Sequence, residues 1–113
     1  MRRVNDTIES VTVFPVFKTD FNMRITFTNL SAIPVLSDWG CYEHRKISEL
    51  MLESCPALLE LYDNPESGNL TLFYKGYAIS FLVKPFPKQG FIGFYGFQIR
   101  YIDKFDNNKQ FLN

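Results

Sequence analysis

The sequence predicts an α+β fold: a mainly antiparallel sheet of about five strands, with one proline-interrupted helical region on one face. Three observations predict it. Residues 69–84, NLTLFYKGYAISFLVK, alternate large apolar and smaller side chains about a central Lys-Gly pair. Residues 42–63 repeat apolar side chains at helical spacing instead. Segments rich in valine, isoleucine and phenylalanine lie on both sides of these two.

The hairpin carries its own register. With Lys75-Gly76 at a two-residue turn, Tyr74 faces Tyr77, Leu72 faces Ile79 and Leu70 faces Phe81. All six fall on one face, while Thr71, Phe73, Ala78 and Ser80 fall on the other. A slip of one residue would turn every large side chain to the wrong face, so the pattern specifies the pairing.

Upstream, residues 10–18 read as a strand, and Pro15 pushes it towards an edge or a bulge. A polar connector leads to a second strand at 23–29, with Met23, Ile25 and Phe27 turned inward. Residues 30–40 contain Pro34, which favours an edge strand or an extended loop.

In the helical region, Ile47, Leu50, Met51, Cys55, Leu58 and Tyr62 share one face, and Glu49, Glu53 and Glu60 lie opposite. Pro56 lacks an N–H and collides with the carbonyl of Leu52, so a kink or two short helices follow. Ser54 or Cys55 is then placed to cap the second. Residues 64–69 form a turn cluster and 85–90 a loop. Residues 91–102 form a last strand, in which Gly93 and Gly96 mark a bulge or a close backbone approach.

The 113 residues show no break in composition, which indicates one domain spanning 1–113. Its termini, about 1–8 and 104–113, read as loose, with Phe111 and Leu112 as apolar groups able to dock. An aromatic share of 17% favours strands and large contact surfaces. No apolar run approaches the ~20 residues of a membrane span, so no membrane partner is expected. The basic N-terminus is not followed by an apolar stretch, so a cytoplasmic location is expected. Cys41 and Cys55 then read as free buried thiols, and the matches to the glycosylation sequon at Asn5, Asn29 and Asn69 read as chance.

The chain is poor in reactive constellations. His44 is its one histidine, which excludes a paired-histidine metal site within one chain. Cys41 and His44 stand three apart near Asp38 and Glu43, but nothing orients His44 as a base, and a zinc cluster there would need unusual geometry. There is no phosphate loop and no dinucleotide fingerprint. The expectation is a protein without catalytic residues, metal or cofactor, and not an enzyme.

Charge is balanced in total and uneven along the chain. Residues 38–66 carry seven carboxylates against two basic side chains, a net −5; residues 69–113 carry six basic against two acidic, a net +4. Glu49, Glu53, Glu60 and Asp63 are the candidate contacts for a basic protein partner. The leading expectation is a non-catalytic inhibitor, such as a small immunity protein neutralising a bacterial nuclease toxin, or a phage counter-defence factor.

The alternative is single-stranded nucleic-acid binding by Lys84, Lys88, Phe94, Arg100 and Tyr101, with aromatic rings stacking on bases. Residues 88–97, KQGFIGFYGF, resemble the aromatic signature of the RNA-recognition motif. Gln89 and Ile92 break its spacing, and that fold needs two helices in a βαββαβ order, so membership is excluded. A small ligand-binding domain, or an enzyme with an unrecognised site, is the third reading.

Overall fold

A computed structural model of the chain describes residues 14–102. Five strands form one antiparallel sheet in the order β2-β1-β5-β4-β3. The strands are β1 (Val16–Thr19), β2 (Ile25–Thr28), β3 (Gly68–Tyr74), β4 (Tyr77–Phe86) and β5 (Phe91–Tyr101). Three short helices lie between β2 and β3: α1 (Ala32–Asp38), α2 (Glu49–Ser54) and α3 (Ala57–Asp63). The fold is α+β, as the sequence predicts. The expected strand at 10–13, the loose termini and the docking of Phe111 and Leu112 lie outside the described residues.

The β3–β4 hairpin has the register written in its sequence: Tyr74↔Tyr77, Leu72↔Ile79 and Leu70↔Phe81. Lys75 and Gly76 both take positive φ, 46° and 85°, which matches the twist of a two-residue primed turn. One core unites the sheet with the helices. At its centre the Phe17 ring stacks on Phe94 at 4.4 Å and meets Phe81 edge-on at 5.6 Å.

Gly96 meets both readings of the glycine pattern. Its N–H donates to Pro15 O at 2.8 Å, and an added Cβ would stand 2.7 Å from that oxygen. The β4–β5 ladder bulges beside it, with Ser80 opposite Gln98 and Phe81 opposite Gly96. At Gly93 the space a Cβ would need is filled by the ring of Tyr95.

Four expectations are corrected. Strand β1 is not an edge; Pro15 stands just before it, so its missing N–H costs no ladder bond. Phe27 turns outward, 42% exposed, because a bulge pairs Lys18 with Phe27 but Thr19 with Ile25. Residues 32–38 are helical although they contain Pro34. That proline is the third residue of α1, where no intrahelical donor is needed, and Ala32, Val35 and Leu36 bury one face. The Asn29 side chain accepts from Ala32 N at 3.0 Å in the place of a cap.

The fourth correction concerns residues 42–48, which are not helical. Gly40 and His44 take positive φ, and the backbone at 44–47 lies along β2 instead. Helix α2 starts at the Ser48 cap, whose hydroxyl accepts from Met51 N at 3.1 Å. The helical region does divide at Pro56 into two short helices, but Pro56 itself holds the cap position of α3. Each short helix buries a narrow face: Met51 in α2 and Leu58 in α3 are buried, whereas Leu50, next to Met51 in α2, is 52% exposed and leaves the predicted apolar face.

Candidate functional site

The cleft between α3 and the start of β3 combines shape with charge. It holds about 380 Å³, within the usual range for a ligand site of roughly 300–1,000 Å³. Leu58, Leu61, Leu70 and Val83 supply its apolar floor, and Glu60, Asp63 and Glu66 its carboxylates. No lysine or arginine lines it, and among the described residues none pairs with those three acids. Asn64 Nδ2 donates weakly to Glu66 Oε2 at 3.5 Å.

Local sequence explains the arrangement. Glu60 and Asp63 stand three apart on α3, so both project on one side of the helix. Leu58 is 2% exposed and anchors the helix to the sheet. Pro65 follows the helix, and the turn at 64–67 brings Glu66 to the same opening. Helix α3 ends on Asp63 with no basic residue in its last turn. The negative end of the helix dipole therefore adds to the carboxylates, an arrangement that favours a bound cation.

The cleft wall is latched to the interior of the sheet. Tyr62, on α3, meets the hydroxyl of fully buried Thr19 on β1 at 2.5 Å. Burial pushes the Tyr62 phenol up to about 12, and the nearby Asp20 charge acts in the same direction.

The sequence-predicted residues separate. Glu60 and Asp63 reach the cleft; Glu49 and Glu53 sit exposed on α2 and do not line it. The acidic stripe is thus divided by the Pro56 break. Glu66 joins Glu60 and Asp63 from outside the sequence-predicted set; its position in the turn cluster behind an acidic helix end is the signal for it.

The nucleic-acid candidates also divide. Phe94 is 0% exposed and stacked on Phe17, so its ring is not available to a base. Lys84 pairs with Gly93 and Arg100 with Ala78, about 20 Å apart along β4 at ~3.3 Å per residue. Lys88 lies exposed in the loop at the Lys84 end. Tyr101 is 65% exposed at the far end and meets Tyr77 edge-on.

Cys41 and His44 point apart, with Cys41 buried beside Ser48 and Met51 and His44 79% exposed near Glu43. Both thiols are free as expected, but Cys55 is half-buried rather than buried; that burial raises its thiol, which keeps it protonated at neutral pH. Among the described residues no three His, Cys, Asp or Glu side chains converge as a metal site, and no helix is long and apolar enough to cross a membrane. The amide of Asn29 is buried and bonded to Phe14 O, Val16 N and Ala32 N.

No protein-family model matches the chain, and no curated protein matches it. Among solved structures it is similar to the PAS domain of BvgS from Bordetella pertussis, with a TM-score of 0.46 and 14% identity, covering 97% of this chain and 93% of that one.

Proposed function

We propose that this chain is a non-catalytic protein-binding domain that receives a basic partner at the cleft between α3 and β3. The observation that carries this reading is the acid rim over an apolar floor, with no lysine or arginine among the described residues that line it. Such a site favours a long cationic side chain, whose methylene stem rests on Leu58 and Leu70 while its charge meets Glu60, Asp63 and Glu66. An inhibitor of a basic toxin, an immunity protein or a counter-defence factor, is the form of this function in which the partner is a nuclease with a positively charged active-site rim.

The experiment is partner capture from the native host, followed by association kinetics. Glu60, Asp63 and Glu66 are exposed, so reversing all three to Lys leaves the core intact. The wild-type association rate should fall as salt rises, and the triple variant should associate about tenfold or more slowly at low salt. An unchanged rate would remove the cleft from the interaction.

A second reading rests on the opposite face of the sheet. Lys18 Nζ lies 5.4 Å from the Phe27 ring and 4.9 Å from Phe91, Phe86 stacks on Phe91, and Lys84 lies 6.0 Å from Phe86. Cations interleaved with rings suit single-stranded nucleic acid. Salt-sensitive binding that Lys84→Ala weakens, with the cleft triple variant binding as well as wild type, would favour this reading over the first.

A further inference from the structure

The outer edge of β3 passes beside the cleft, and among the described residues its backbone is largely unbonded. In a hairpin closed by a two-residue turn, the flanking pair exchanges both N–H···O bonds, and bonded pairs alternate from there. Tyr74–Tyr77, Leu72–Ile79, Leu70–Phe81 and Gly68–Val83 are then the bonded pairs. Asn69, Thr71 and Phe73 turn their N–H and C=O groups away from β4. Among the described residues, the bond at this edge agrees with that phase: Trp39 Nε1 donates to Phe73 O at 2.9 Å. Among the described residues no backbone bond reaches Asn69 or Thr71 from the outside. Both are exposed, and no masking charge or proline stands between them.

We propose that the first half of β3 takes an extended, basic segment of a partner polypeptide as an added strand, whose alternate lysine or arginine side chains enter the acidic cleft. This rests on the cleft reading above. The added strand bonds through its backbone to Asn69 and Thr71. Its residue opposite Leu70 projects on the Leu70 face, and Leu70 lines the cleft together with Glu60, Asp63 and Glu66. Backbone pairing and charge recognition therefore share one ligand. Trp39 limits the docking length, because it already holds the Phe73 carbonyl.

The test uses the full chain, isotopically labelled, with a short peptide alternating arginine and threonine as the probe. Binding should slow exchange of the Asn69 and Thr71 amides. N-methylation of the peptide's bonding amides, which keeps its charge, should weaken binding about tenfold or more. Thr71→Pro should weaken it similarly, since the outward N–H of Thr71 is not part of the β4 ladder. If that variant does not fold, the N-methylated peptide still decides. Spermine separates the two readings. Equal binding of spermine and both peptides, with Asn69 and Thr71 exchange unchanged, would overturn the strand while leaving the cleft as a cation site. No binding of any basic probe at low salt would overturn both. Dimerisation of the wild-type chain that Thr71→Pro abolishes would overturn the proposal by making a second copy the occupant.

Discussion

At the β2 edge, the backbone of Ile25 is bonded on its outer side: its N–H donates to Arg45 O at 2.9 Å, and its C=O accepts from His44 N at 2.6 Å. Ile47 N adds a bond to Met23 O at 2.8 Å, and Arg24 Nη1 reaches His44 O at 2.7 Å. At the β3 edge, one indole N–H closes one carbonyl. Both strands are terminal in the same sheet, and an unpaired edge invites pairing with another chain. Among the described residues, the segment 44–47 bonds to the outer side of β2 around Ile25, whereas a single side chain bonds to the outer side of β3. The open stretch is also the one flanked by carboxylates and an apolar cleft. An edge bonded by its own chain is less open to a partner, so of the two edges β3 is the one that suits the proposed docking.

The largest expected effect tests whether the open edge rests on a core as firm as that of the closed one. Ile25 and Leu58 are both buried, one beneath each region. Replacing either with Ala should cost about 2–5 kcal/mol in denaturant unfolding. Leu50→Ala, on the exposed side of α2, should cost under about 1 kcal/mol. A loss at Leu50 as large as that at Leu58 would break the phase assignment of the two helices.

Tyr62 comes next, since it ties the cleft wall to β1. Tyr62→Phe leaves buried Thr19 without its partner and should cost about 1–3 kcal/mol at neutral pH. The phenol is pushed up to about 12 in the folded chain, from an ordinary value of 10.0. A raised folded value means that the neutral phenol is favoured by folding. Its contribution is complete below the unfolded value and is lost as pH rises towards the folded one. Wild-type stability should therefore fall between those two values, with the Tyr62 share of the fall absent in Tyr62→Phe. Identical pH profiles would mean that burial does not hold the Tyr62 phenol neutral.

A smaller effect sharpens the contrast between edges. Trp39→Phe removes the indole donor and frees the Phe73 carbonyl. Stability should drop by about 1 kcal/mol. Self-association, read by sedimentation, should rise because the open edge becomes longer. A variant that stays as it was in both measures would show that Trp39 does not guard the edge.

The sequence made the hairpin legible because a period of two and a Lys-Gly turn agree over the whole of 70–81. It made α1 illegible because a helix of seven residues containing Pro34 imitates an extended segment. Ile47, Leu50 and Met51 are spaced as on a helix, yet the bonds of residues 44–47 to β2 outweigh that spacing. Long-range pairing of this kind leaves no local signal. Glu60 and Asp63 were visible as acids near a helix end. Their separation from Glu49 and Glu53 follows from the angle at Pro56, and their meeting with Glu66 and β3 follows from topology. The open edge itself depends on strand order, which periodicity does not encode.

Native-state amide hydrogen exchange on the free chain reads both sheet edges in one sample and so compares them without a partner. Strong protection is expected at Ile25 and Ile47, whose N–H groups have outer partners, and at Leu70 and Leu72, which bond to β4. Asn69 and Thr71, in the same strand as Leu70 and Leu72, should exchange near the rate of exposed backbone. Protection of Asn69 and Thr71 equal to that of Leu70 and Leu72 would mean that the β3 edge is already closed, and the docking surface would be lost.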